Sequence, residues 1–196
     1  MVRRFKDWKD QSQSIALSLD AYERLPLTKV VKDRYNNLAA SYPLHPQAER
    51  NMMIVYDDQN IFAKVLRGEI PSYKIYENEH TFAFLDIMPR SPGHTLVIPK
   101  SRARGILDIS VDAFAEVART TKRIAVAAVS AFNADGVIIQ QFSEPASGQV
   151  VLHMHMHVMP VTEGIDLLPA QTRKEDPKVL EQHAARLIAT LNEPQV

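Results

Sequence analysis

Apolar residues recur every third or fourth position in three stretches of the chain, and fill alternate or consecutive positions in five shorter ones. The first pattern marks a helix with one buried face, the second a strand. Ile61, Phe62, Val65 and Leu66 predict a short helix that Asp57 or Asp58 caps and Gly68 stops, with Pro71 just beyond. Lys74-Ile75-Tyr76 and Thr81-Phe82-Ala83-Phe84-Leu85 predict two strands around the turn Glu77-Asn78-Glu79-His80, and His94-Thr95-Leu96-Val97-Ile98 a third that Pro99 closes. The strongest helix opens at Ser110, carries Phe114, Val117, Thr121, Ile124, Ala128 and Phe132 on one face, and is stopped by Gly136. Val137 to Phe142 and Val150 to Met159 predict two more strands around the loop Ser143 to Gly148. A last amphipathic helix runs from about Pro177 to Leu191, with Leu180, Ala184, Leu187 and Ile188 on one side.

Grouped strands joined by short turns predict an α+β fold: an antiparallel five-stranded sheet with a long helix and short helices packed on it. Residues 1–52 differ in composition. They are mildly basic, have possible helical spacing at Ile15, Leu19 and Tyr22, and end in the proline-bearing stretch Ser41 to Pro46. They are expected to form a partly helical or disordered extension, and a true start at Met52 or Met53 is an alternative reading. Residues 53–196 are expected to be one domain with a C-terminal helix. The formal net charge is +0, which gives no sign of a nucleic-acid partner or an anionic membrane. No apolar run is long enough to span a bilayer. Cysteine is absent, which removes disulfides, thiolate metal sites and cysteine nucleophiles and is compatible with the cytoplasm, the expected location.

The chemistry concentrates in His153-Met154-His155-Met156-His157. In an extended strand these imidazoles share one face while Met154, Met156 and Val158 face a core. Stacked imidazoles pack poorly because their nitrogens need partners. One reading is a metal site completed by His94, but alternate side chains spread over about 13 Å converge poorly on one ion. Coincidental surface histidines are a second reading. A third is nucleophilic catalysis on phosphorus, since neutral imidazole is a good nucleophile near pH 7. Gly148 lets the backbone approach a ligand closely, and Gln149 brings an amide donor.

Gly148-Gln149-Val150-Val151-Leu152-His153-Met154-His155-Met156-His157-Val158 resembles the signature of the histidine-triad nucleotide-binding proteins. Ile61 to Pro71 looks like that family's opening helix, and Phe84 to Pro89 with Gly93 to Lys100 like its central hairpin, so the resemblance covers about residues 54 to 163. It implies that His155 attacks the α-phosphorus of a purine nucleotide conjugate, a phosphoramidate or adenylate, and forms a transient nucleotidyl-histidine that water hydrolyses. It implies that His153 and His157 flank the nucleophile, that His94 is a fourth histidine near the site, and that Gln149 touches the leaving atom. Asp86 would accept the ribose hydroxyls, and Ile61, Phe62, Val65 and Phe84, with Ile87, would line the base slot. Family members commonly form homodimers through the long helix and a sheet edge, and the small residues Ala125, Ala127, Ala128 and Ala131 would permit close helix approach. No cofactor is implied. The chain departs from the pattern in the loop before Gly148, where relatives often carry Asn and Ser143 is the nearest candidate, and at Val150, where some relatives have a hydroxyl. Some bacterial relatives hold zinc with cysteines near the opening helix; Asn60 and Ala63 stand there, so no metal is expected. The alternatives that remain are a nucleotide-binding regulatory module with little turnover and a histidine metal protein. A neutral imidazole attacker predicts turnover that falls below about pH 6.

Overall fold

The computed structural model describes residues 56–170 and 172–193. The expectations for residues 1–52 lie outside the described residues.

Helix α1 spans Ile61–Leu66, and its cap is Asn60 instead of the expected Asp57 or Asp58. The Asn60 Oδ1 accepts from the backbone N–H groups of Phe62 and Ala63 at 3.0 and 2.9 Å, while Asp57 closes the preceding turn by accepting from Gln59 N. Strands β1 (Lys74–Glu77) and β2 (Thr81–Leu85) flank a turn held by Asn78, whose Oδ1 accepts from the amides of His80 and Thr81. Strand β3 is Thr95–Pro99. The long helix α2 runs Val111–Phe132 from its Ser110 cap. It stops at Asn133 in the left-handed region (φ 49°), and Gly136, expected to end it, opens strand β4 (Gly136–Gln140). After a single 3₁₀ turn at Pro145–Ser147 come β5 (Met156–Val161) and α3 (Pro177–Asn192).

The five strands pair antiparallel in the order β1-β2-β3-β5-β4. Alternation along β2 sorts the core into two layers. Ala83 and Leu85 pack with Val117, Ile124, Ala128, Leu180 and Leu187 of α2 and α3, whereas Phe82 and Phe84 pack with Phe62 and Val65 of α1. The sheet thus carries the two long helices on one face and α1 on the other. The cavity described below opens on the α1 side.

The histidine strand is shorter at its start than expected. β5 begins at Met156, not Val150, because residues 150–155 satisfy their backbone elsewhere: Met154 N donates to Ala103 O at 2.7 Å, and the Gln149 side chain donates to Val151 O. The side-to-side alternation nonetheless survives, since Met154, Met156 and Val158 all reach the α2–α3 core. Three of the four small residues of α2, all but the half-buried Ala125, are also placed differently. Ala127, Ala128 and Ala131 are buried in that same core, so they bring α2 close to its own sheet and offer no surface to a second copy.

Gly93, immediately before His94, has φ +78°, and a Cβ there would lie 2.1 Å from the Phe132 ring. Only glycine fits both the conformation and the contact, so the end of α2 sets the position of His94.

Candidate functional site

A cavity of about 500 Å³ lies between α1 and the loops around β3 and β5. Its apolar side is built by Ile61, Phe62, Val65, Phe84 and Ile87, and its polar side by Asp86, His94, Gly148, Gln149, His155 and His157. Of the residues singled out from the sequence, His153 and Ser143 alone lie outside this lining.

The hydrogen bonds fix which nitrogen of each imidazole carries the proton. Nδ1 of His155 lies 2.6 Å from the main-chain carbonyl of His153. A carbonyl can only accept, so Nδ1 is protonated and Nε2 keeps a free lone pair. Arg90 N donates to Nδ1 of His94 at 3.2 Å, which leaves the His94 proton on Nε2. That proton points to Nδ1 of His157, 3.0 Å away, so His157 presents Nε2–H as a donor. A backbone amide therefore sets two imidazoles in series.

Burial keeps these rings neutral. It pushes His94 down to about 3 and His157 to about 4, with neighbouring imidazoles and the Arg90 cation adding to the effect. Burial also lowers His155, and its bond to the His153 carbonyl partly opposes the shift. The Nε2 lone pair of His155 is thus free at neutral pH.

His153 does not take the place the resemblance implied. It is 1% exposed, its Nε2 donates to Pro99 O at 3.0 Å, and its Nδ1 accepts from the Tyr56 hydroxyl. Both nitrogens are used behind the cavity wall, and its contribution to the site is the carbonyl beneath His155. Gln149 lines the cavity, yet its amide is engaged by the loop. Nε2 donates to Arg104 O at 2.5 Å and Val151 O at 2.9 Å, and Oε1 accepts from Glu144 N at 2.7 Å. Glu144 itself sits at φ +70° and pairs with the buried Arg104 at 2.6 Å, which braces the loop. Ser143 is turned away: its Oγ accepts from Ile106 N at 2.9 Å against the bare Cα of Gly105. The preceding residue, Phe142, lines the cavity instead, edge-on to His157 with ring centroids 5.7 Å apart. Phe142 and Arg90 are site residues that the sequence reading missed; the alternation Gln140, Phe142 continuing out of β4 was the signal for Phe142.

Asp86 accepts from Met88 N at 2.9 Å through one oxygen, and burial raises its carboxyl pKa. Its second oxygen lies 3.6 Å from Nδ1 of His94. Asp86, His94 and His157 offer donor atoms within 4.8 Å of one another, which invites a test for a metal. Nδ1 of His94 already accepts the Arg90 amide and Nδ1 of His157 accepts from His94, so a cation here would have to break the series that orients both rings. The donor set does not fit a resident ion.

The HIT domain profile matches residues 67–164. The chain belongs to the HIT family. An uncharacterized HIT-like protein of Saccharolobus solfataricus is 32% identical over 126 residues, 64% of this chain and 83% of that protein. Among solved structures, a Hit-like protein from Bartonella henselae, described as involved in cell-cycle regulation and solved with an unknown ligand, superposes with a TM-score of 0.67. It is 44% identical and covers 70% of this chain and 99% of its own. A zinc-bound histidine triad family protein from Mycobacterium smegmatis gives a TM-score of 0.61 at 35% identity, over 68% of this chain and 93% of its own. These matches agree with the α+β HIT fold expected from the sequence. Among the described residues no helix is long and apolar enough to cross a membrane.

Proposed function

We propose that this HIT protein binds a purine nucleotide conjugate and cleaves it at the α-phosphate, as a hydrolase or nucleotidyl transferase acting on phosphoramidates or adenylates. The observation that carries the reading is the bond from Nδ1–H of His155 to the His153 carbonyl, which leaves Nε2 as the free lone pair of a cavity residue. That lone pair attacks phosphorus, the P–N bond forms, and the bond to the leaving group breaks. A carboxylate leaves without a proton; an amine leaves with one drawn from water at the mouth. The adduct makes the His155 ring cationic, and the carbonyl on Nδ1–H is placed to stabilise that charge. Nε2–H of His157 can donate to a phosphoryl oxygen as negative charge gathers there. Water then attacks phosphorus, the P–N bond breaks with its electron pair returning to Nε2 of His155, the proton of the water passes to solvent, and the nucleoside monophosphate departs. Asp86 has an oxygen to accept ribose hydroxyls, and Phe62 and Phe84 suit a purine face.

A second reading is a nucleotide-binding regulatory module. It is favoured by the Gln149 amide, already committed to the loop, and by Phe142 where a polar contact to the nucleotide was expected. Incubation of the full chain with an adenosine phosphoramidate separates the two. Release of AMP at many turnovers, unaffected by a chelator, is expected. Tight AMP binding without turnover would give the second reading priority, and chelator-sensitive release would revive a metal role. The cytoplasm is the location this reading carries.

A homodimer belongs to the same proposal. β4 is an edge strand, and Val126 on α2 and Ile139 on β4 remain 50% and 39% exposed. Sedimentation of the full chain is expected to give the mass of two copies; a monomer at micromolar concentration would remove this part.

A further inference from the structure

His153 is a buried imidazole with no free nitrogen, and one of its two partners comes from outside the sheet. Tyr56 precedes α1, and its ring packs edge-on to His153 with centroids 5.6 Å apart while its hydroxyl meets Nδ1. Since Nε2 of His153 must donate to Pro99 O, Nδ1 is an acceptor and the tyrosine is the donor. Burial is the largest influence on this phenol and raises its pKa above the usual 10.0, so the donor keeps its proton. Phe62 closes the same cluster, edge-on to both His153 and His155 at 6.2 and 5.1 Å. The segment before α1 is therefore tied to the triad by the Tyr56 hydrogen bond, and α1 itself by the Phe62 ring contacts.

The geometry points to Tyr56 as a positioning residue for the nucleophile: its hydroxyl fixes the His153 ring and thereby the carbonyl on which Nδ1–H of His155 rests. Nothing in the family signature at Gly148 to Val158 includes this residue. The physical chain is short. Without the hydroxyl, Nδ1 of His153 is a buried acceptor without a partner, a costly state. The ring then gains by turning or by changing tautomer, and the Pro99 bond is lost with it. The His153 carbonyl follows its own residue. Once that carbonyl no longer holds Nδ1–H of His155, the proton can move to Nε2, and the attacking lone pair is gone. The substrate pocket itself is untouched, so the loss falls on the chemical step.

The inference uses the hydrolase reading only for its kinetic readout, and the test keeps the two apart. In the full-length parent, nitrogen-detected NMR of the imidazoles is expected to show His153 with a bare, hydrogen-bonded Nδ1 and a protonated Nε2. In Tyr56→Phe the His153 Nδ1 signal should shift toward that of a free lone pair, or the ring should populate both tautomers. The kcat should fall by about ten- to a hundredfold, the effect of a small misplacement at a reacting centre, with KM within about threefold of the parent. AMP affinity unchanged in the variant would show that the fold and pocket persist. A parent His153 protonated on Nδ1 overturns the inference whether or not the variant folds. So does a Tyr56→Phe protein whose His153 signals and kcat match the parent. Absence of turnover in the parent, with the His153 tautomers as expected and shifted in the variant, would instead count against the hydrolase reading and leave the role of Tyr56 standing.

Discussion

Replacement of His155 by alanine is expected to lower the turnover of an adenosine phosphoramidate by about four to six orders of magnitude, the scale seen when a covalent nucleophile is removed. The tautomers of the four histidines set this expectation. His94 and His157 are linked by a bond between their rings, so each spends one nitrogen on the other. His153 spends both nitrogens behind the wall. His155 alone among these four lines the cavity with a nitrogen that is both unprotonated and unpaired by protein. A residue that only donates hydrogen bonds in the transition state, the role proposed for His157, typically contributes about 10²–10³. The gap between the His155→Ala and His157→Ala rates is therefore the sharper measurement. AMP binding should survive both substitutions, since the base slot and Asp86 are untouched. An acid-labile nucleotidyl adduct should be trapped on the parent and be missing from His155→Asn, which keeps the approximate shape of the ring. A His155→Ala protein with a rate within tenfold of the parent would end the nucleophile assignment.

Much of the fold was legible because local pattern and burial agreed. The runs Thr81 to Leu85 and Thr95 to Pro99 are wholly buried strands, and nothing in their composition competes with that state. The misreadings cluster where a side chain replaces a backbone partner. Val150 to His155 alternates like a strand, but the Gln149 amide takes up backbone carbonyls that a neighbouring strand would otherwise serve. Asn60 outcompeted Asp57 and Asp58 as a cap because it alone stands directly before the helical residues, which no propensity scale reveals. The alternation of His153, His155 and His157 places three rings on one face, with His155 between its two neighbours. His155 and His157 do sit together, 4.9 Å apart. His153 leaves the set because Pro99 and Tyr56, distant in sequence, offer it both bonds. Ser143 and Phe142 exchanged roles for a similar reason: the bare Gly105 backbone makes room for the hydroxyl on the far side of the loop. Long-range partners of polar atoms are what a single chain of letters hides. The alternation of apolar residues is local and survives even where the strand does not.

Acid should unfold this domain over an unusually narrow range, and stability at pH 5 is expected to fall well below that at pH 7. In the folded chain His94 titrates at about 3, and His153 and His157 at about 4, all through burial first. In the unfolded chain each would titrate near 6.5. Between those values the unfolded chain binds protons that the folded chain refuses, so stability is full above about pH 6.5 and is lost as pH falls toward 4. At pH 5 each ring costs on the order of 2 kcal/mol, and three together approach the whole stability of a typical domain. Asp86 has the opposite sign. Burial raises its carboxyl, so the folded state gains relative stability as the pH falls, and this one group offsets part of what the three rings lose. Because burial also lowers His155, the rate per folded molecule should begin to fall at a lower pH than for an ordinary imidazole. Loss of activity near pH 5 should therefore track unfolding. Urea midpoints at pH 7, 6 and 5, set beside kcat and tryptophan-independent far-UV signals at the same pH values, check both halves. Equal midpoints at pH 5 and 7 would mean that the buried rings accept protons in the folded state, and with that the neutral, pre-set nucleophile would lose its physical basis.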